Sequence, residues 1–175
     1  MGISIPPHLK LKKHTVKISI YALDKLVGMD SAFLGMGELK SSDPYIVAKL
    51  GQDQANGTIF KNYQVGQRYL KVFEKMHLTM MVPSHINTLI LSMKDYDAMS
   101  FNDDFFGSIF IDVKKIQKFQ YSNPFWAYIY GGHASVDNQD AKETMNTYPD
   151  LASRFKGAMY LKIESFQDLS FRDPV

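Results

Sequence analysis

The chain has 175 residues, of which 45% are hydrophobic and 22% are charged, a composition typical of a globular protein with a buried core. Its formal charge of +2 is too small to indicate binding to nucleic acid, and the lack of any cysteine excludes disulfide bonds and thiolate metal sites. The lack of cysteine also favours a cytoplasmic location. No apolar run approaches the roughly 18 residues of a membrane-spanning helix, so we expect any contact with membranes to be peripheral. We predict a lead-in tail at 1–13, one domain at 14–169 and a C-terminal tail at 170–175.

Alternation of apolar and polar residues dominates the domain. In the first such segment Val16, Ile18 and Ile20 alternate with polar side chains, which is the pattern of a half-buried strand. The same reasoning predicts eight strands, at 15–22, 45–50, 58–65, 71–82, 88–94, 107–113, 125–130 and 157–166. Short strands separated by turn signals predict an all-β fold, an eight-stranded antiparallel β-sandwich.

Several local features complete this prediction. Asn56-Gly57 is a pair typical of tight hairpin turns, so we place a turn there between two strands. Trp126 and its neighbours Phe125 and Tyr128 are expected to lie in the core. Helical signal is confined to one turn within 113–120 and a short helix within 140–155, the latter in an insertion at 131–157 before the last strand.

Acidic residues are concentrated in two predicted loops. The first, at 26–45, contains Asp30, Glu38 and Asp43, and the second, at 93–107, contains Asp95, Asp97, Asp103 and Asp104. If both loops lie at one end of the sandwich, their carboxylates repel one another unless a cation is bound between them. Calcium accepts six to eight oxygen ligands at about 2.3–2.6 Å in flexible geometry, so it suits such loops better than magnesium.

Two other kinds of metal site, an EF-hand and a zinc site, do not fit the sequence. In an EF-hand loop that starts at Asp95, the sixth position would be Ser100 instead of glycine and the twelfth Phe106 instead of glutamate. Zinc is disfavoured because the five histidines show no ligand spacing and the chain has no thiol. The acidic loops therefore favour calcium.

Three motifs in order along the chain resemble those of a known family. The stretch SSDPYIVAKLG (41–51) resembles the strand-entry motif of C2 domains, and MKDYDAMSFNDDFFGSIFIDV (93–113) resembles their calcium loop and the strand after it. The segments FWAYIY and GAMYLKIESF resemble the last two strands of the family. Because the first strand leads directly into the first acidic loop, the order resembles the type II topology, and the motifs are most similar to those of ferlins and related multi-C2 membrane-fusion proteins.

This resemblance implies a set of calcium ligands. Motif position assigns this role to Asp43, Asp95, Asp97 and Asp104, with Asp103 as an alternative because the second acidic loop is one residue longer than the common pattern. The first acidic loop is also longer, so either Asp30 or Glu38 supplies the remaining ligand, and we favour Asp30. The predicted metal residues are thus Asp30, Asp43, Asp95, Asp97, Asp103 and Asp104.

Apolar and basic residues near these loops predict contact with lipid. The candidates for insertion into the membrane are Phe33, Leu34, Met36, Met99 and Phe101, although Phe33 and Leu34 have the alternative of folding back over the sandwich. A possible face for anionic lipid consists of Lys61, Arg68, Lys71 and Lys75, where each charge near the membrane contributes about 1 kcal/mol. The alternative for these four residues is an ordinary solvated surface.

The resemblance implies a calcium-dependent phospholipid-binding module that belongs to a larger protein of membrane trafficking or fusion. Its partners would be an anionic membrane surface and other domains of a multi-C2 protein or the fusion machinery. The alternative is a calcium-independent C2 domain whose loops bind a protein partner. Enzymatic activity is not expected, because no nucleophile, base or second-shell histidine accompanies the acids.

Overall fold

The computed structural model describes residues 11–26, 41–61, 63–64, 69–96, 103–131 and 155–167, without the side chains of Ser41, Asp104 and Phe155. Its strands, in chain order, are β1 (Lys12–Asp24), β2 (Ser41–Ser42), β3 (Pro44–Leu50), β4 (Asp53–Asn56), β5 (Tyr63–Gln64), β6 (Leu70–Val82), β7 (Thr88–Asp95), β8 (Asp104–Asp112), β9 (Phe125–Tyr130) and β10 (Phe155–Gln167). One helical turn, α1 (Val113–Gln117), follows β8, with the Asp112 carboxylate as its N-cap. This turn agrees with the prediction for 113–120, whereas the helix predicted within 140–155 lies almost wholly outside the described residues, since Phe155 already begins β10.

Eight of these strands form one sheet in the order β4-β3-β7-β8-β9-β10-β1-β6, and the two-residue strands β2 and β5 pair separately. Every pairing in the sheet is antiparallel. The two edge strands of the sheet come together, because Asp53 at the start of β4 accepts a hydrogen bond from the Thr79 backbone N–H of β6 at 2.6 Å. The prediction of an all-β protein with eight antiparallel strands is confirmed.

The core lies between the two halves of this folded sheet. In β1 the alternating side chains Val16, Ile18 and Ile20 are fully buried, as the sequence pattern predicts. From the other half of the sheet, Leu89 and Leu91 of β7 pack into the same hydrophobic cluster. Burying one such side chain contributes about 1.5–3 kcal/mol, so the alternating apolar residues of these strands stabilise the domain.

Of the strand predicted at 58–65, the described residues contain only the two-residue β5 (Tyr63–Gln64), because 58–61 form no strand, and the turn predicted at Asn56-Gly57 is wrong. The hairpin turn follows β3 at once, at Gly51 and Gln52, and β4 is the next four residues. Gly51 adopts φ 63°, a left-handed conformation that glycine reaches without steric cost, and this allows the early reversal. The stretch after Asn56 still follows β3, through a hydrogen bond from the Gly57 N–H to the Ile46 carbonyl at 2.7 Å.

The expectation that Trp126 and Tyr128 lie in the core is also wrong. In β9 the side chains of Ala127 and Ile129 point into the core, so the alternate residues Trp126 and Tyr128 face outward. They are 38% and 59% exposed. Phe125 is partly buried and packs against the core.

The register brings several chain segments to one end of the sheet, here called the loop end. Pro44 at the start of β3 pairs with Asp95 at the end of β7, which in turn pairs with Asp104 at the start of β8. β9 ends and β10 begins at the same end, because Tyr130 pairs with both Ser108 and Phe155. The segment of the predicted insertion between Gly131 and Phe155 therefore leaves and rejoins the sheet there. Within the described ranges, no helix combines the length and apolar composition needed to cross a membrane.

Candidate functional site

Asp95 is the acidic residue that joins the two predicted acidic loops. It is the last residue of β7 and is 1% exposed, because β3 and β8 flank it on both sides. Its Oδ1 accepts a hydrogen bond from the backbone N–H of Asp43 at 2.5 Å. In return, the Asp43 carbonyl accepts one from the Tyr96 N–H at 3.0 Å. These bonds hold the end of the first acidic loop against the start of the second, and they satisfy a buried carboxylate in the way that buried charges require.

Asp103 is held at the same end of the sheet by a tyrosine. The Tyr45 hydroxyl, from the second position of β3, donates a hydrogen bond to Asp103 Oδ2 at 2.5 Å. Partial burial, followed by the hydrogen bond to Asp103 and its negative charge, raises the pKa of Tyr45 well above its ordinary value. The hydroxyl therefore stays protonated at physiological pH and remains a donor to the carboxylate.

The described residues contain only part of the predicted metal set. Asp43, Asp95 and Asp103 are described with their side chains, and Asp104 by its backbone pairing with Asp95. Asp30 and Asp97 lie outside the described residues, as does Glu38, the alternative to Asp30. Among the side chains that are described, no three of His, Asp or Glu lie close enough together to hold a metal ion. The fold thus brings the two acidic loops together, and the full ligand set remains a prediction.

The residues predicted to contact lipid are described less completely. All five candidates for membrane insertion lie outside the described residues, and so does Arg68; the five are Phe33, Leu34, Met36, Met99 and Phe101. Lys61, Lys71 and Lys75 are exposed. Lys61 lies in a turn beyond β4, whereas Lys71 and Lys75 lie in β6 opposite Ala22 and Ser19 of β1. The described lysines are therefore divided between a loop and a sheet face.

Sequence reasoning missed a group of aromatic side chains on the outer face of the sheet. Trp126 of β9 contacts Tyr160 of β10 with ring centroids 5.1 Å apart, and it also contacts Tyr69 at 5.9 Å. Tyr160 in turn contacts Tyr21 of β1 at 5.7 Å. The period-two pattern of FWAYIY was compatible with either set of alternate residues facing the core. Only the packing of β9 against the core shows that Ala127 and Ile129 are the residues that point inward.

Comparison with solved structures identifies the fold. The tandem C2 domains of extended-synaptotagmin 2, with calcium bound, match with a TM-score of 0.63 and 20% sequence identity over 89% of this chain. The chain has the C2 domain fold. It spans about half of that two-domain structure, 46% of its length.

Two further matches come from different proteins. Human GIVD cytosolic phospholipase A2, solved with an inhibitor and terbium chloride, matches with a TM-score of 0.53 and 10% identity over 90% of this chain and 18% of its own. A C2 domain protein from Ramazzottius varieornatus matches with a TM-score of 0.50 and 12% identity over 95% of this chain and 98% of its own. No protein-family model and no curated protein matches the sequence. At these identities the likeness establishes the C2 fold alone.

Proposed function

We propose that this C2 domain binds anionic phospholipid membranes in response to calcium, and that it is a binding module and not an enzyme. The observation that carries the proposal is the hydrogen bond from the Asp43 N–H to the buried Asp95 carboxylate, which brings the two acidic loops to one end of the sheet. C2 domains typically bind membranes, in some cases through calcium. The extended-synaptotagmin structure that this fold matches was solved with calcium bound.

The chemistry of the donors fits calcium. The predicted ligands are carboxylates throughout, which hard cations such as calcium prefer. We propose that Asp43, Asp95 and Asp97 hold the ion together with Asp104 or Asp103 and with Asp30 or Glu38. The hydrogen bonds to Asp95 and Asp103 each engage one oxygen of the carboxylate and leave the other oxygen as a donor for a metal ion.

Residues of the two acidic loops would convert calcium binding into membrane binding. Without metal, the loop aspartates repel an anionic bilayer and keep the loop tips away from it. Bound calcium supplies positive charge and accepts lipid phosphate oxygens. The apolar residues of the two loops, Phe33, Leu34, Met36, Met99 and Phe101, then enter the headgroup region, where partial burial gives reversible anchoring.

We further propose the type II topology and a place in a larger protein at cytoplasmic membranes. Support for the topology is that β1 pairs with the last strand, β10, and leads directly into the first acidic loop. A parent with several C2 domains is supported by the extended-synaptotagmin matches, which contain more than one such domain. The similarity of the NDDFFG and DPYIVAKLG motifs to ferlins suggests a role in membrane fusion.

The test combines calorimetry with sedimentation of phosphatidylserine-containing vesicles, with calcium and with EDTA. We expect heat on adding calcium and calcium-dependent pelleting, both lost in Asp95→Asn/Asp97→Asn. The matched control is Asp53→Asn/Asp112→Asn, which removes the same charge at the opposite end of the sheet, near the β3–β4 turn and at the cap of α1. Asparagine also caps helices well, so α1 is retained.

Two outcomes would contradict the proposal. Equal loss of binding in the control variant would make the effect one of net charge instead of a site. Vesicle pelleting that is the same in calcium and in EDTA, with no heat of metal binding, would favour the calcium-independent C2 domain whose loops bind a partner.

A further inference from the structure

Four aromatic rings, two of them exposed and two partly buried, form a continuous surface on the outer face of the sheet, here called the aromatic plate. It consists, in order across the sheet, of Tyr21, Tyr160, Trp126 and Tyr69, each in ring contact with the next at centroid distances of 5.1 to 5.9 Å. Tyr69 is 54% exposed and Trp126 38% exposed. Large aromatic side chains that remain in contact with water on the face of a sheet are typical of binding surfaces, because their rings offer much apolar area with little side-chain entropy to lose.

Lysines adjoin the aromatic plate. In the strand register, Lys71 of β6 lies opposite Ala22, Ala22 opposite Tyr160, and Tyr160 opposite Trp126, so this lysine and the two rings form one row across the sheet. The next row on the same face pairs Ser19 of β1 with one lysine on each side. The lysines that the register places on this face are Lys13, Lys17, Lys71, Lys75 and Lys162, of which Lys13 lies at the end of β1 away from the plate.

The charge of this face is positive. The register places two acids there, Asp24 and Glu164, against the five lysines. Glu164 is engaged by Lys162 at 3.0 Å. Lys71 and Lys75 are both exposed beside the plate. An occupant that complements the face must therefore combine apolar groups for the rings with negative charge for the ammonium groups.

We propose that the aromatic plate and its lysines bind an extended acidic peptide segment of a partner protein. Apolar or proline side chains of the segment pack on Trp126 and Tyr69, and its carboxylates pair with Lys71 and Lys75. The proposed contacts use none of the predicted calcium ligands, so this binding does not require calcium.

The geometry of the plate favours a peptide over a bilayer. Its rings pack against one another at interplanar angles of 32°, 49° and 84°, so they support one another, whereas side chains that anchor a protein in lipid project singly beyond the surface around them. The plate also lies on the face of the sheet, while the loop end proposed for the membrane lies along the strand axes. With the loop end on a bilayer, this face points sideways and remains open to a protein partner.

Trp126 provides a direct probe, because it is the only tryptophan in the chain. The test titrates the intact chain, in EDTA, with a short synthetic peptide that alternates glutamate with proline and leucine. Peptides with glutamine or lysine in place of glutamate serve as comparisons. We expect a saturable change in Trp126 fluorescence with the glutamate peptide only, weakened by added salt because the lysine contacts are electrostatic.

Variants locate the binding by labelled-peptide anisotropy. Trp126→Ala and, separately, Lys71→Glu/Lys75→Glu should each weaken binding about tenfold or more, as loss of a central aromatic anchor or of paired charges does at interfaces. The controls are Phe119→Ala, an exposed aromatic residue after α1, and Lys114→Glu/Lys115→Glu on α1, which should bind as the wild type does. Circular dichroism confirms that each variant is folded.

The proposal is overturned if the glutamate peptide causes no saturable fluorescence change in the wild-type chain. It is also overturned if the α1 lysine variant loses as much affinity as Lys71→Glu/Lys75→Glu, since binding would then follow net charge. Finally, if phosphatidylserine vesicles in EDTA change Trp126 fluorescence while the peptide does not, the face binds lipid and the peptide assignment is wrong.

Discussion

Asp43 and Asp95 are 52 positions apart in the chain, yet the backbone N–H of Asp43 donates a hydrogen bond to the Asp95 carboxylate at 2.5 Å. Asp95 is almost fully buried where β7 ends, and Asp43 immediately precedes β3. The bond thus has a structural role that is independent of any metal, because it fixes where the first acidic loop rejoins the sheet. The same carboxylate is a proposed calcium ligand, so the two roles need variants that separate them.

Asp95→Asn and Asp95→Ala should separate these roles. The asparagine carbonyl can still accept the Asp43 N–H bond, so Asp95→Asn should fold nearly as stably as the wild type while it binds calcium more weakly. Asp95→Ala removes this acceptor from the Asp43 N–H and should lower the free energy of unfolding by about 1–3 kcal/mol. Urea unfolding in EDTA measures the stability, and calorimetry measures the metal. If both variants are equally stable, the hydrogen bond does not hold the loop.

Tyr45 should make the domain sensitive to alkaline pH. Burial and the bond to Asp103 raise the Tyr45 pKa above its ordinary value of 10.0, so the folded state favours the protonated hydroxyl. This stabilisation is fully present below pH 10.0 and is lost as the pH rises above it. Urea unfolding across that range should show a smaller loss of stability in Tyr45→Phe than in the wild type. Burial also raises the pKa of Tyr63, so part of the alkaline loss should remain in the variant.

Asp53 should make the contact between β4 and β6 sensitive to acid. The Thr79 backbone N–H, which donates to the Asp53 carboxylate, lowers the pKa of Asp53 below its ordinary value of 3.8. A lowered pKa means that this stabilisation is present above pH 3.8 and is lost as the pH falls below it. Asp53→Asn should therefore show a shallower decline of stability in that acidic range, measured by urea unfolding. A decline identical to that of the wild type would show that the carboxylate does not contribute to the contact.

Gly107 should not tolerate a side chain. A Cβ atom at this position would lie 2.4 Å from the Tyr130 carbonyl oxygen. Because the obstacle is backbone at the point where β8 meets β9, Gly107→Ala should cost about 1–3 kcal/mol or more in thermal or urea unfolding. The comparison is Ser108→Ala, which loses a hydroxyl contact with Ser92 at 2.8 Å but adds no atoms. Gly107→Ala should be the less stable of the two variants.

The sequence alone determined the kind of fold and its buried strands. Alternation in segments such as Val16 to Ile20 is a local property, because neighbouring side chains of a strand point to opposite faces of the sheet. This alternation correctly predicted an all-β protein with eight antiparallel strands. The two clusters of acids were equally visible without a structure.

Only the tertiary structure decided which distant residues meet and which face of a strand is covered. The pairing of Pro44 with Asp95 depends on strand order and register, which are set by long-range packing and not by local pattern. For the same reason Trp126 lies outside the core: its alternation permits two orientations, and only the neighbouring strands determine that Ala127 and Ile129 point inward. The turn at Gly51 was missed because a competing signal at Asn56-Gly57 was stronger locally, whereas pairing of β4 with β3 required the earlier reversal.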